Sequence, residues 1–534
     1  MYAPYNGWQG DLDVRMIASD RATNSLRNAR YAMLFYVVGF IASFFFRRYF
    51  IQVLGDELLG MNSTLTSILG FLNIAELGFS GAIAFALYEP LAQDDRQQVQ
   101  EIISIQAWFY RWVARVVLLA SVALLFFFPR IFAETHIPLW YAYATFIVLL
   151  ANALWGYLFN FRQIIFSSDQ QEYKITLAVQ IPRILKQVLQ VLAILFLAHP
   201  YVWWLALEFF IGLLGVLFFE WLIRRDYPWL KASAKQGGLL RRRYPDIMRR
   251  TGQLIYHKVA TFVLQQSAPI VILIVFGSMQ GFSVVTIYQN YSVLFLGISG
   301  IVSALFNGLT ASVGNLVIEG DQNRVEALFR KLYSFRLWFI LVIGAVVYWG
   351  SQSFMELWVG GERYFGQLDL LLFLLYMFLQ LSRLPEQFIA AYGMYQDIYA
   401  PIIEAILNLG LSLLFGSMWG ITGVLLGINI SLVAIVLLWR PYFLYSQGFH
   451  RSVWGFHLRQ TGHLALAVLL VILLGRFLPQ MTDFASISSW GGWFVRAMLC
   501  TVVYSLLFGG GLYLLFPDFR GGIGMIINEV FRRR

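Results

Sequence analysis

Seven basic residues stand inside otherwise apolar stretches of the chain: Arg111, Arg115, Arg183, Lys186, Lys258, Arg383 and Arg496. A cation at the centre of a membrane-spanning helix costs about 2.5–3.5 kcal/mol on insertion scales, so such residues usually face a wet cavity or a partner. Their neighbours extend the pattern. Gln180, Arg183, Lys186, Gln187 and Gln190 recur at steps of three and four, which places them on one helical face. Pro182 interrupts that face and predicts a kink or a freed carbonyl. Tyr376, Gln380, Arg383 and Gln387 form a second stripe, and Lys258, Thr261 and Gln265 a third. Asn62, Thr66, Asn73, Glu76 and Ser80 line another, as do Glu404, Asn408 and Ser412. The economical arrangement points these stripes at one shared, water-filled central cavity. Its named groups are more cationic than anionic, which selects an anionic solute or headgroup. Phosphate and pyrophosphate suit it, because a guanidinium offers paired donors in a fixed fork.

Each of these residues also has a plainer reading. Arg111, Arg115, Lys258 and Arg496 stand near predicted span ends, where long side chains reach the headgroups. Arg383 has Glu386 three residues on and Glu404 on the next span as pairing partners, and Glu208 is placed to neutralise Lys186. Glu76 serves equally as an interhelical hydrogen-bonding group. Other chemistry is excluded more simply. Cys500 is the only cysteine, so neither a disulfide framework nor a cysteine metal site forms. The six histidines make no HExxH pair, and no Gly-Lys dipeptide supplies a Walker A loop. Asp11-Leu12-Asp13 resembles a sugar-nucleotide motif but lies in an isolated polar tail. No cofactor, metal, nucleic-acid partner or enzymatic activity is expected.

The elements that carry these residues follow from composition. Of 534 residues, 59% are hydrophobic, 17% aromatic and 13% charged, and the mean hydropathy is +0.66. A soluble domain is nearer ~25% charged. A soluble enzyme, a disordered chain and a secreted scaffold are excluded, and so is a barrel of alternating ten-residue strands. The prediction is an all-α polytopic membrane protein with about fourteen spans: 31–52, 58–88, 106–128, 138–160, 175–198, 201–223, 252–276, 282–312, 333–352, 367–389, 400–418, 420–440, 460–478 and 492–516. The net charge of +10 comes from 39 Lys and Arg against 29 Asp and Glu. Most of the basic residues fall in alternate loops, which predicts that both termini are cytoplasmic.

Residues 1–30 are read as a cytoplasmic tail, 31–223 as an N-lobe of six spans and 224–250 as a basic cytoplasmic linker. Residues 251–445 form a C-lobe of six spans, and 446–534 add two spans and a tail. Each lobe opens with a similar hairpin. Leu54-Gly55, a Gly/Ser-rich span and Asp94-Asp95-Arg96 in the first match Phe276-Gly277, a Gly/Ser-rich span and Asp321-Gln322-Asn323-Arg324 in the second. Internal repeats of this kind are common in transporters.

Two segments carry a family resemblance. Phe71-Leu72-Asn73-Ile74-Ala75-Glu76-Leu77-Gly78-Phe79, followed by Ala84-Phe85-Ala86-Leu87-Tyr88-Glu89-Pro90-Leu91-Ala92, resembles the second-helix region of bacterial polysaccharide flippases. Gly393-Met394-Tyr395-Gln396, Pro401-Ile402-Ile403-Glu404-Ala405 and Asn408-Leu409 resemble their eleventh-helix region, extended by Gly420 to Gly427 and Trp439-Arg440-Pro441-Tyr442. These flippases translocate O-antigen and capsule repeat units and belong to the multidrug/oligosaccharidyl-lipid/polysaccharide exporter superfamily. The resemblance implies two pseudo-symmetric six-helix bundles plus two C-terminal helices, alternating access, and short sugar repeats on undecaprenyl pyrophosphate as substrate.

On this reading Arg183, Lys186 and Arg383, with Lys258, Arg111 and Arg115, hold pyrophosphate. Gln180, Gln187, Gln190, Gln380, Gln387 and Asn73 line the cavity. Glu76 and Glu404 serve proton or sodium coupling or balance charge. The expected partners are the lipid-linked oligosaccharide, the inner-membrane bilayer, a proton or sodium ion and polysaccharide polymerase machinery. The rivals are a multidrug or small-molecule antiporter of the same fold, and a membrane glycosyltransferase or polysaccharide polymerase.

Overall fold

A computed structural model describes residues 7–72, 79–306, 317, 321–361, 363–394, 397 and 399–532; side chains are described outside 7–26, 29, 250, 253–261, 265, 304–305 and 525–532. Among these residues the regular structure is helical, without a strand, and eleven stretches are long and apolar enough to cross a membrane. The chain divides into two compact units, Met1–Phe262 and Val263–Arg534.

In the first unit, α1 (Gly7–Leu54) ends at Gly55, whose φ of 87° is open to a residue without Cβ. α2 (Asp56–Leu72) begins with Asp56 and Glu57, the charge sign that suits a helix N-terminus. α3 (Phe79–Ala92) and α4 (Arg96–Leu125) follow. The side chain of Asp95 caps α4, accepting the Gln98 amide at 2.9 Å. α5 (Leu139–Phe159), α6 (Glu172–Phe196) and α7 (Pro200–Asp226) complete the apolar set. α1 packs on α6, α6 on α7, and α7 on α5.

The basic segment 224–250, expected to be a linker, packs against α4 through α8 (Ala234–Leu240). The Ser233 amide donates to Ser104 Oγ at 3.0 Å. Gly237 lies so close to the Ser104 carbonyl that a Cβ there would stand 1.9 Å from its oxygen. Arg243 and Tyr244 both reach Glu101, at 3.1 Å and 2.7 Å, and Arg241 lies over Trp108. Burial, then the hydrogen bond to Glu101, pushes the Tyr244 phenol up to about 12.

α9 (Pro245–Phe306) runs through the unit boundary and, within the second unit, folds at Gly277, where φ is 68°. The returning arm brings Gly281 against Leu273, whose Cα would lie 3.2 Å from a Cβ at that glycine. α10 (Gln322–Val359) is capped by Asp321, which accepts the Arg324 amide at 3.1 Å. The two hairpin patterns read in the sequence therefore share local geometry: a positive-φ glycine opens each, and an aspartate cap closes each.

α11 (Gln367–Leu381) and α12 (Leu384–Ala391) divide the expected span 367–389 at Ser382 and Arg383. α13 (Tyr399–Leu432) folds back at Trp419 and Gly420, and Ser412 Oγ donates across to the Val424 carbonyl at 3.3 Å. The apolar stretch Tyr399–Gly448 thus contains two antiparallel arms, as the expected spans 400–418 and 420–440 require. The expected span 58–88 is divided into α2 and α3, with 73–78 outside the described residues. α14 (Trp454–Phe477), α15 (Trp490–Leu515) and α16 (Pro517–Arg532) pack on α10 through a core that includes Val342, Ala467, Tyr504, Phe508 and Phe519.

Candidate functional site

The polar face of α6 is shared between two neighbours. Gln187 donates to Ser43 Oγ on α1 at 2.9 Å, and Gln180 lies beside Gly39 on the same helix. Lys186 and Gln190 turn to α7. Lys186 Nζ donates to Glu208 Oε1 at 2.5 Å, and Gln190 Nε2 to Glu208 Oε2 at 3.1 Å. Arg183 stands between these two contacts and is exposed. Among the described residues it has no carboxylate within ion-pair distance.

A second exposed arc of α6 carries Ile181, Leu185, Val188, Leu192 and Leu195, the composition of a lipid-facing surface. At 100° per residue its centre lies about 160° from Arg183. Arg183 is therefore on the side of the helix opposite the apolar arc.

A cavity of about 320 Å³ opens on that side, between α5, α6 and α7. This volume is at the lower end of small-molecule sites, which run ~300–1,000 Å³. Arg183, Lys186, Glu208, Asn152 and Asn160 are its polar lining. Gly212 lets Asn152 approach α7 closely, since a Cβ there would stand 2.2 Å from Asn152 Oδ1, and a Cβ on Gly215 would touch Pro182 at 3.4 Å. Asn152 Nδ2 donates to the Glu208 carbonyl at 3.2 Å. The Oδ1 atoms of Asn152 and Asn160 are buried without a hydrogen-bond partner among the described residues. Lys174–Asp226, where α6 starts and α7 ends, and Arg162–Glu220, between the turn after α5 and α7, are ion pairs at 2.6 Å that brace the helices around the cavity. One free guanidinium beside a neutral Lys–Glu pair gives this lining a net positive charge.

The other expected site residues fall elsewhere. Arg111 and Arg115 are exposed on α4, on the arc of Leu118, Leu119 and Val122. That apolar setting suits long basic side chains that reach headgroups, and neither residue lines the α5–α7 cavity. Arg383 lies outside that cavity too. It stands at the α11–α12 break, where Nε donates to Gln380 Oε1 at 2.8 Å and Nη1 to Glu386 Oε1 at 2.7 Å, and Nη2 pairs with Glu404. The row continues through Arg440, 3.6 Å from Glu386 and 2.7 Å from Asp397. Arg383 is thus engaged by two carboxylates and an amide oxygen and does not present a free cation. Gln387 is half-buried on α12. Asn73 and Glu76 lie outside the described residues, as does the side chain of Lys258.

Sequence reasoning missed Asn152 and Asn160 because a lone amide in an apolar span carries no spacing signal. The Gly212/Gly215 pair was the available clue, since two small residues one turn apart permit close approach or leave a void.

No protein-family model matches the chain, and no curated protein matches it by sequence. Solved structures do match. A lipid II flippase, MurJ, in an inward closed conformation superposes with a TM-score of 0.62 at 14% identity, covering 90% of this chain and 99% of its own. An inward-facing multidrug-resistance MATE-family transporter of the MOP superfamily gives 0.49 at 14% identity, over 75% of this chain and 94% of its own. A MOP superfamily transporter from Pyrococcus furiosus, described as having a binding pocket of reversed polarity, gives 0.48 at 14% identity, over 80% and 96%. The chain is a multi-pass α-helical membrane protein. Its fold is that of the lipid II flippase, which meets the fold expected from the superfamily resemblance.

Proposed function

We propose that this protein is an inner-membrane flippase that translocates undecaprenyl-pyrophosphate-linked oligosaccharide repeat units by alternating access, with fourteen spans and both termini cytoplasmic. The observation that carries the reading is the free guanidinium of Arg183 in a polar cavity on the side of α6 away from the lipid-type arc. An unpaired cation held near the middle of an apolar helix is costly without a counter-ion, and a diphosphate headgroup supplies one. Lys186 provides a second cation next to it. The similarity to the lipid II flippase fold over 90% of the chain supports a lipid-linked substrate.

Glu404 keeps its place as a candidate for coupling or charge balance, within the cluster of Arg383, Glu386, Asp397 and Arg440. The proton or sodium ion and the polymerase partners belong to the same proposal. The test is Arg183→Gln in cells, with protein level as the folding control. Repeat-unit export should fall at least tenfold at wild-type abundance. Undiminished export removes Arg183 from the mechanism, and a drug-resistance assay then separates the antiporter alternative.

A further inference from the structure

The Lys186–Glu208 pair differs from its neighbours. Lys174–Asp226 and Arg162–Glu220 lie at helix ends, where α6 begins, α5 stops and α7 ends, whereas Lys186–Glu208 lies near mid-span in the wall of the cavity that Arg183 also lines. Both members are partly reachable, with side chains 22% and 12% exposed. Lys186 has three N–H donors, and its ion-pair partner is the single carboxylate of Glu208. That carboxylate does not depend on Lys186 alone, because Gln190 Nε2 holds its other oxygen. Residues three apart on a helix have Cβ atoms about 5–6 Å apart, so Arg183 and Lys186 form adjacent cationic positions on one wall. A diphosphate carries two linked anionic groups at that scale. A monophosphate needs only one position.

We propose that Glu208 is a resident anion masking the second half of a two-cation diphosphate subsite, and that an incoming diphosphate takes Lys186 from it. This rests on the headgroup reading given above. In the empty site Glu208 neutralises Lys186, so a single phosphate meets one free cation, Arg183. A diphosphate is long enough to reach both, and its second phosphoryl group replaces the carboxylate while Gln190 retains Glu208. Displacing the carboxylate costs the diphosphate binding energy that a monophosphate on Arg183 does not lose, so Glu208 holds the affinity for a diphosphate down.

The test uses the full-length protein in detergent, titrated calorimetrically with inorganic pyrophosphate and, separately, inorganic phosphate. Glu208→Gln keeps the side-chain shape and removes the charge. It should bind pyrophosphate at least about tenfold more tightly than wild type, equivalent to about 1.4 kcal/mol, and should widen the preference for pyrophosphate over phosphate. Equal pyrophosphate affinity in wild type and Glu208→Gln overturns the mask while leaving the headgroup reading intact. Failure of both proteins to bind pyrophosphate overturns the headgroup reading as well. If Glu208→Gln does not fold, Lys186→Gln with Glu208→Gln leaves no unpaired charge and decides the matter. Its pyrophosphate affinity should stay within about threefold of wild type, because a masked lysine adds little net binding. A tenfold loss in that double variant shows that Lys186 already serves the ligand freely, and the proposal fails.

Discussion

Arg383→Met tests whether that charge serves the fold or the substrate. The guanidinium lies between Glu386 and Glu404, and the Glu404 side chain is only 2% exposed. Removing it leaves Glu404 buried without that partner and strips Gln380 Oε1 of its donor. Deleting one member of a buried pair costs about 3–5 kcal/mol, whereas replacing both members with apolar residues is often neutral. Arg383→Met should therefore lower stability by about 3–5 kcal/mol, and Arg383→Met with Glu404→Leu should recover most of that loss. Glu386 keeps Arg440 at 3.6 Å in both variants. Thermal unfolding in detergent measures the first effect, and pyrophosphate titration of the stable double variant measures the second. The double variant should bind pyrophosphate as wild type does. An Arg383→Met protein as stable as wild type, or a stable double variant that has lost pyrophosphate binding, refutes the structural assignment of Arg383.

Two further outcomes concern the segment docked on α4. Gly237→Val introduces a side chain where a Cβ already falls 1.9 Å from the Ser104 carbonyl oxygen; the segment should detach, and limited trypsin digestion should cut after Arg241 and Arg243 much faster than in wild type. The raised Tyr244 phenol gives a pH dependence with a definite sign. The docked state holds that proton to about pH 12, against an ordinary 10, so the stabilisation is complete below about pH 10 and is lost as pH rises through 12. Tyr244→Phe should abolish that part of the alkaline loss, read from unfolding temperature against pH.

Much of the architecture was legible because a bilayer enforces simple rules. Apolar stretches of membrane length read directly as helices, and the turns at Gly277 and Gly420 fell where two expected spans met. The Gly55/Asp95 and Gly277/Asp321 correspondence was also readable, since positive φ and helix capping each select few residue types. The break at Ser382–Arg383 was not, because the expected span 367–389 ran apolar through Leu381-Ser382-Arg383-Leu384-Pro385, and Pro385 stands at the start of a new helix.

Charges were the harder part. Periodicity placed Gln180, Arg183, Lys186, Gln187 and Gln190 on one broad face but did not say that α1 would take two of them and α7 two others. Arg183, Lys186 and Arg383 look alike in a hydropathy profile. Their difference lies in the partners Glu208, Glu386 and Glu404, which the sequence offered as alternatives and which packing brings within reach of Lys186 and Arg383 but not of Arg183. Arg111 and Arg115 illustrate the same point: a cation in an apolar run is a cavity residue or a snorkelling one according to which arc of its helix it occupies.

The central claim is that the free guanidinium of Arg183 receives the pyrophosphate of a lipid-linked oligosaccharide. Its most direct measurement is translocation of a labelled undecaprenyl-pyrophosphate oligosaccharide in proteoliposomes carrying wild-type protein or Arg183→Gln at matched density. The account predicts transfer to the opposite leaflet by wild type and at least a tenfold slower rate for Arg183→Gln, with Arg183→Lys in between because a point charge replaces a bidentate fork. Equal rates for wild type and Arg183→Gln, or no transfer by the wild type above protein-free vesicles, would contradict it.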